Sequence, residues 1–218
     1  MATPYFQFRF DTVPSTQDIA RARIGDLPVL IQATGQSEGR GRTGSEWINA
    51  DRALAASLAI RLPESDQRPF SLMAGVAAIR ACDPASLKWP NDVMVGDLKV
   101  GGILVERSGE VVVIGLGLNL WWSDAPAGAG GVYAKDPGPE EHAEIGGLWG
   151  AELMRLLDGE GWPLDEYRSS CVTLGRQISW EPVGSGRAVD IAPAGGLIVE
   201  MSDGETRTLY SGRVSHVR

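Results

Sequence analysis

The sequence predicts an α+β fold for residues 1–174, a mixed sheet with flanking helices, and a small β-barrel for residues 175–218. Before residue 175, short β-branched apolar runs alternate with stretches of helical spacing, which indicates strands interleaved with helices. After residue 175 the pattern changes to short β runs separated by glycine-rich turns, typical of an appended barrel of meandering strands. The runs expected in this barrel are residues 177–181, 187–191, 196–201, 206–210 and 213–217.

Apolar periodicity places the elements of the first 174 residues. Strands are expected at residues 6–10, 29–33, 52–62, 86–89, 93–95, 98–106 and 111–120. Ser15 or Thr16 can cap a helix that Gly25 stops, and further helices are expected at residues 71–82, 145–157 and 163–172. Residues 121–142 are rich in Gly, Ala, Pro and acidic residues without periodicity, so we expect a mobile surface loop there.

Composition limits the classes of function. The 218 residues allow one large domain, or a medium domain with a small appendage. A net charge of −8 argues against a general nucleic-acid binder, which is usually basic. Cys82 and Cys171 form no C-x-x-C pattern, so neither a disulfide framework nor a zinc ribbon is expected, and a reducing cytoplasm fits. No signal peptide or bilayer-spanning apolar run is present, so no membrane role is expected.

The stretch at residues 88–106, K-W-P-N-D-V-M-V-G-D-L-K-V-G-G-I-L-V-E, combines turn signals with two lysines. Its P-N-D and G-D turns between apolar runs predict antiparallel strands. Lys88 opens the first strand, and Lys99 lies early in the last one, just before Gly101 and Gly102. A lysine beside glycines, where the backbone can approach a ligand, favours a ligand-facing strand over a solvated hairpin with two surface lysines.

A glycine-rich segment, residues 35–47, carries two arginines. Its glycines match the dinucleotide spacing G-x-G-x-x-G, but no amphipathic helix follows Gly44 and no acidic residue closes a second strand at the expected distance. The guanidinium groups of Arg40 and Arg42 suit phosphate and carboxylate oxygens, so we expect a loop that folds over an anionic ligand. Trp47 offers a flat face for a base, or equally a core side chain.

Two further positions suit a ligand. Gly115 and Gly117 alternate along the strand expected at residues 111–120, which leaves one face bare and makes room for something flat. The amide of Asn119 suits an adenine edge, or closes the strand as a turn residue. The helix start at Ser15 and Thr16 offers backbone donors to a carboxylate or phosphate as well as capping.

Four motifs in this order, G-R-G-R-x-G-x-x-W, K-W-P-N-D-V, K-V-G-G-I-L-V-E and G-L-G-L-N-L, resemble the biotin–protein ligase family. The C-terminal G-S-G-R-A-V-D-I-A-P-A-G-G-L-I-V-E resembles that family's terminal barrel, so the likeness covers nearly the whole chain from Asp11 onward. It implies a catalytic domain like that of class II aminoacyl-tRNA synthetases and a barrel like that of Src-homology-3 domains. K-W-P-N-D followed by K-x-G-G-I-L-V-E is specific as a pair, whereas the glycine–arginine segment alone is not.

The resemblance implies two reactions. ATP activates biotin to biotinyl-5′-AMP, and the biotin is then transferred to a lysine of a biotin carboxyl carrier protein domain. Biotin and ATP are the implied substrates, with Mg²⁺ screening the phosphates and no metal site built from protein side chains. Only about ten residues precede the matching part, so the DNA-binding domain of some members is expected to be absent; a homodimer is left open.

The resemblance also implies roles for individual residues. Lys99 and Arg42 are the expected catalytic cations, which stabilise the negative charge of the transition state. The expected biotin-binding residues are Ser15, Thr16, Gln17, Gln36, Arg40, Gly41, Arg42, Lys99 and Gly102. The expected ATP- and adenylate-binding residues are Arg40, Arg42, Trp47, Lys88, Asn91, Asp92, Lys99 and Asn119.

The chain departs from the family pattern at three places. Ser45 stands where arginine is usual, Gln17 where asparagine is commoner, and residues 49–52, N-A-D-R, where S-P-x-G is usual. These departures put adenylate retention in question. Two alternatives follow: a lipoate or octanoate ligase of the same fold, against which K-W-P-N-D and the terminal barrel speak, and a non-catalytic biotin sensor, which only Ser45 favours.

Overall fold

The computed structural model describes residues 3–159, 161–181, 183–212 and 214–217, and within them it contains two β-sheets. The larger sheet has the strand order β1-β2-β3-β7-β6-β5-β4, and the smaller has the order β11-β10-β9-β8-β12. The strands are β1 (Phe6–Val13), β2 (Val29–Gln36), β3 (Arg52–Arg61), β4 (Ser86–Lys88), β5 (Asp92–Val95), β6 (Leu98–Ser108), β7 (Val111–Trp121), β8 (Gln177–Trp180), β9 (Gly184–Ile191), β10 (Leu197–Glu200), β11 (Thr206–Leu209) and β12 (Val214–His216).

The four predicted helices are present. They are α1 (Thr16–Arg23), α2 (Phe70–Ala81), α3 (Glu141–Leu157) and α4 (Leu164–Ser170). Helix α3 begins at Glu141 rather than at residue 145. Apolar periodicity does not reveal the first turn because that turn is polar. Glu141 and Glu144 suit the positive end of the helix dipole. The α+β fold with a C-terminal β-sheet module is confirmed, although Arg213, which was expected in the last strand, lies outside the described residues.

The strands predicted at residues 86–106 pair as a continuous antiparallel meander. Strand β4 pairs with β5, and β5 pairs with β6, which confirms the P-N-D and G-D turns. In this register Asp92 lies opposite Gly102, and Gly102 lies opposite Gly117 of β7. The meander therefore brings the K-W-P-N-D turn, the strand with Lys99 and the glycine-bearing strand side by side.

Helices cover both faces of the larger sheet. Helices α2 and α3 pack on one face, where Trp149 is fully buried and donates a hydrogen bond from its indole nitrogen to the carbonyl of Ala74 (3.1 Å). Helix α1 packs on the other face through a smaller cluster that includes Ala20 and Val113. Because side chains alternate along a strand, this second face also carries the positions of Gly115 and Gly117.

The segment after β7 was expected to be a mobile surface loop, and between residues 122 and 140 it holds no helix or strand. Its backbone is nevertheless bonded to the strand that carries Lys99. The Lys99 amide donates to the carbonyl of Gly128 (2.9 Å), and the Gly130 amide donates to the carbonyl of Lys99 (3.0 Å). The segment thus supports this end of β6. Among the described residues, no helix combines the length and apolar character needed to cross a membrane.

The smaller sheet contacts the larger part of the chain through two indole groups. Trp89, buried in the K-W-P-N-D turn, donates from Nε1 to the carbonyl of Gly195 (3.0 Å). Trp162 donates from Nε1 to the carbonyl of Pro193 (2.7 Å). The turn between β9 and β10 is therefore held against the turn that precedes β5. A domain boundary between residues 174 and 175 stays a prediction.

Candidate active site

A cavity of about 710 Å³ lies over the α1 face of the larger sheet, within the size range of small-molecule sites. The smaller sheet contributes to its lining with Glu181, Ser211, Gly212 and Val214. The structure brings most of the predicted site residues into this lining: Ser15, Thr16, Gln17, Gln36, Arg40, Gly41, Arg42, Trp47, Asn91, Asp92, Lys99 and Gly102.

Two predicted residues are not part of the lining. Lys88 ends β4 opposite Asp92 and is not part of the cavity lining. It lies near His216, whose pKa is lowered first by burial and then by the positive charge of Lys88. Asn119 is only 4% exposed, and its side-chain oxygen has no hydrogen-bond partner among the described residues. It shares a strand face with Gly115 and Gly117 but lies further along β7 than the lining reaches.

A polar network forms one wall of the cavity at the start of α1. The Thr16 amide donates to Gln36 Oε1 (2.8 Å), and the Thr16 hydroxyl is 2.8 Å from the Ser57 hydroxyl. Ser15 is the N-cap residue, as expected, but its side chain makes no capping hydrogen bond. The expectation that a hydroxyl caps this helix is therefore wrong. The Thr16 hydroxyl contacts Gln36 and Ser57 instead, and Gln36 accepts from the Thr16 amide, one of the orphan donors at the start of the helix.

Gln17 presents an unpaired acceptor in the same wall. The residue is 5% exposed, and its Nε2 donates to the carbonyl of Leu104 (3.1 Å). Its Oε1 is buried without a hydrogen-bond partner among the described residues. A Cβ at Gly115 would lie 3.2 Å from the Gln17 amide, so the glycine leaves room for this side chain. A buried amide oxygen without a partner suits a ligand N–H, since leaving it unpaired is costly.

Trp47 covers the glycine face of β7. A Cβ at Gly117 would lie 2.8 Å from the indole ring, and one at Gly102 would lie 3.5 Å from it. The bare face predicted from alternate glycines is present, and the flat group that lies on it is Trp47 itself, half-buried at the cavity wall. Its role toward a base stays a prediction.

The K-W-P-N-D turn holds both expected catalytic cations. Lys99 Nζ lies 2.6 Å from a carboxylate oxygen of Asp92. Arg42 donates from Nη1 to Asn91 Oδ1 (2.9 Å), while Asn91 donates from Nδ2 to the carbonyl of Ile103 (3.0 Å). Two adjacent residues of one turn therefore fix an ammonium and a guanidinium in the same cavity.

Arg40 contacts a carboxylate on α1, whereas Arg42 contacts the K-W-P-N-D turn. Its two terminal nitrogens donate to the two carboxylate oxygens of Asp18 on α1, at 2.8 and 2.6 Å. The hydrogen bond from Arg40 lowers the pKa of the Asp18 carboxyl below its ordinary value, and Asp18 raises the pKa of Arg40. Arg40 lines the cavity, but this contact occupies its charged end.

The family departures have structural partners. Ser45 closes a tight turn: its carbonyl accepts from the Gly41 amide (2.7 Å), and its hydroxyl donates to the carbonyl of Arg42 (2.9 Å). A Cβ at Gly41 would lie 2.5 Å from that hydroxyl, so the two positions fit each other. Asn49 contacts the backbone of Gln36 from both ends of its amide, at 2.7 and 3.3 Å.

Sequence reasoning missed several lining residues. Ser57 had a signal, because it is a buried polar residue within an otherwise apolar strand. Glu181, Ser211 and Gly212 had none, because only the packing of the smaller sheet brings them to the cavity. Among the described residues, no group of three or more His, Cys, Asp or Glu side chains is arranged to hold a metal ion.

Known proteins resemble both parts of this chain. The profile of the biotin/lipoate A/B protein ligase family matches residues 10–119, and that of the biotin protein ligase C-terminal domain matches residues 173–217. A Paracoccus denitrificans protein named biotin–[acetyl-CoA-carboxylase] ligase is 35% identical in an alignment 135 residues long that covers 55% of this chain and 53% of that protein. The chain thus matches about half the length of that relative.

A longer match and a solved structure agree with these profiles. A Mycobacterium tuberculosis protein of the same name is 29% identical over 224 residues, covering 92% of this chain and 84% of that protein. The structure of a biotin protein ligase from Aquifex aeolicus in complex with biotin and ATP has a TM-score of 0.78 at 24% identity, covering 98% of this chain and 99% of that one. At this identity, the structural likeness shows a shared fold.

Proposed function

The chain belongs to the biotin/lipoate A/B protein ligase family, and on that premise we propose that it is a biotin–protein ligase. It activates biotin with ATP to biotinyl-5′-AMP and transfers the biotin to a lysine of a biotin carboxyl carrier protein domain. The curated relatives that match it carry the name of this activity, and the second profile, over residues 173–217, is specific to biotin ligases by its description.

The observation that carries this proposal is the convergence of Lys99 and Arg42 on one cavity beside an uncharged polar wall. Adenylation brings a carboxylate against a triphosphate, so two anions must approach each other. An ammonium and a guanidinium held by the Asp92 and Asn91 side chains reduce that repulsion and stabilise the added negative charge of the transition state. The wall around Gln17, with a free amide oxygen, suits the N–H of a neutral ring such as the biotin ureido group.

A carboxylate oxygen of biotin attacks the α-phosphorus of ATP, and the bond to pyrophosphate breaks. The amine of the carrier lysine then attacks the carbonyl carbon of the mixed anhydride, AMP leaves with the electron pair of the C–O bond, and the amine loses a proton. Arg42 neutralises phosphate charge in both steps, and Lys99 acts at the first.

Mg²⁺ fits this site as a partner of ATP. Such an ion takes one or two protein carboxylates together with substrate phosphates, and Asp92 is a carboxylate of the cavity lining. In place of the expectation that protein side chains supply no metal ligand, we propose that Asp92, which also contacts Lys99, would hold the ion, which screens phosphate charge when bound. The protein's own contribution is then to place Lys99 beside that carboxylate.

Other properties follow from this function. The catalytic unit spans residues 1–174 and the small barrel residues 175–218, with the barrel completing the cavity through residues such as Ser211. The carrier protein, biotin and ATP are the partners. The protein acts in the cytoplasm, where its carrier is made, and a homodimer through a sheet edge is compatible with the fold.

The proposal is tested by incubating the protein with a purified carrier domain, MgATP and either biotin, lipoate or octanoate. Intact-mass spectrometry should show one biotin adduct on the carrier, absent when ATP is omitted or the carrier lysine is changed to arginine. An adduct with lipoate or octanoate but not with biotin would refute biotin as the substrate. Binding of biotin without any adduct would indicate a sensor.

A further inference from the structure

The glycine–arginine loop, defined here as residues 39–47, is tied to the body of the protein by its two arginines. Arg42 makes one hydrogen bond, to Asn91. Arg40 makes two, with its terminal nitrogens on both carboxylate oxygens of Asp18. A bidentate guanidinium–carboxylate pair fixes the plane of the guanidinium as well as its position.

A bound ligand is expected to affect the Arg42 contact but not the Arg40 contact. The proposed function requires Arg42 to bind the phosphate of the adenylate, so the ligand competes with Asn91 for that guanidinium. The Arg40 contact lies on α1, where its partner Asp18 is not part of the cavity lining. A ligand therefore leaves the contact between Arg40 and Asp18 in place.

The surroundings of Arg40 reinforce the contact. Glu106 of β6 lies 3.9 Å from Arg40 Nη2 and also accepts a hydrogen bond from Arg21 (3.0 Å). Two carboxylates and two guanidinium groups thus alternate between the loop, α1 and β6. The side chains of Arg40 and Asp18 are 38% and 54% exposed, and exposed pairs are weak enough to break and reform readily. That suits a loop that must open for substrates and close over a reactive intermediate.

We propose that Asp18 is a positioning residue that holds Arg40 and thereby keeps residues 39–47 closed over the cavity. Neither Asp18 nor its contact with Arg40 touches the reacting atoms. The effect on the adenylate rests on the proposed function, whereas the effect on the loop itself does not.

Loop closure is measured directly by hydrogen–deuterium exchange of the free protein. In Asp18→Asn, the amides of residues 39–45 should exchange about two- to fivefold faster than in the wild type, which is the effect expected from an exposed ion pair. Asp26→Asn is the matched control, since Asp26 is exposed and makes no ion pair within the described part of the chain. Arg40→Gln should speed exchange as Asp18→Asn does, and the double variant Asp18→Asn/Arg40→Gln should exchange no faster than either single variant, because each change removes the same contact.

A second readout follows the intermediate. Preformed biotinyl-5′-AMP should leave Asp18→Asn about two- to fivefold faster than the wild type, with an unchanged rate of pyrophosphate release. If wild-type protein forms no adenylate, the proposed function fails, and the exchange data still decide the role of Asp18. Unchanged loop exchange in Asp18→Asn, or additive effects of Asp18→Asn and Arg40→Gln in the double variant, would overturn the inference.

Discussion

Single residues decide how closely the site is packed. Gly117 permits the indole of Trp47 to lie on β7, because a Cβ there would approach the ring to 2.8 Å. Gly115 does the same for the amide of Gln17, and Gly41 for the hydroxyl of Ser45. In each case a neighbouring side chain occupies the position that a Cβ would take. The backbone angles of these three residues do not themselves require glycine.

Gly117→Ala should therefore displace Trp47 and weaken nucleotide binding. Overpacking of this kind costs about 1–3 kcal/mol of unfolding free energy, and the KM for ATP should rise more than the KM for biotin. Thermal unfolding and steady-state kinetics check both effects. Gly25→Ala is the control, because a Cβ at Gly25 meets nothing within 4 Å. Equal behaviour of the two variants would show that Trp47 does not depend on the glycine face.

At the scale of elements, the K-W-P-N-D turn and the glycine–arginine loop form one unit at the position proposed for the phosphate. Asn91 joins them through Arg42, and Asp92 adds Lys99 from the neighbouring strand. The contact between the two elements gives a fixed pair of cations, which is the preorganisation that electrostatic catalysis needs.

Arg42→Gly should break this unit at the loop. The variant should release biotinyl-5′-AMP to solvent, where it labels lysines of bystander proteins, because the loop loses its phosphate contact. Labelling of serum albumin mixed into the reaction, detected with labelled streptavidin, measures the release. Arg23→Gly serves as the control, since Arg23 lies at the far end of α1 and only stacks on Phe8 and Phe10. Bystander labelling no higher than in the wild type would rule out the retention role of Arg42.

At the scale of the whole molecule, the smaller sheet is part of the site. Trp89 connects the two sheets, since its indole donates to Gly195 while its neighbours Asn91 and Asp92 hold the cations. Its backbone amide also donates to the buried hydroxyl of Thr173 (3.1 Å). We therefore expect movement of the smaller sheet to be coupled to the turn that positions Arg42 and Lys99.

Trp89→Phe should weaken that coupling. The buried Gly195 carbonyl loses its donor, at a cost of about 1–3 kcal/mol, and the KM for ATP should rise as the turn loosens. Trp162→Phe is the matched control: it removes the hydrogen bond to Pro193, but Trp162 does not line the cavity. Calorimetric unfolding and kinetics of both variants check this. A change in stability alone, with kinetics like those of Trp162→Phe, would contradict the coupling.

Much of this architecture could be predicted from local sequence, and the limits are physical. Turn chemistry and alternation located the strands around Lys99 and Gly117, since these signals lie within a few residues. The contact between Asp18 and Arg40 could not be found, because an acidic residue in the first turn of a helix already has a local explanation. The cavity residues of the smaller sheet depend on packing between distant segments, for which a single sequence carries no signal.

ATP–pyrophosphate exchange by the wild type and Lys99→Ala, with biotin, lipoate or octanoate as the acid, tests adenylation and the role of Lys99 most directly. We expect exchange with biotin but with neither other acid, and a fall of about 10²- to 10³-fold in Lys99→Ala, as for removal of a transition-state donor. Circular dichroism and thermal unfolding establish that the variant is folded. Near-normal exchange by Lys99→Ala, or exchange by the wild type with lipoate in preference to biotin, would contradict this expectation.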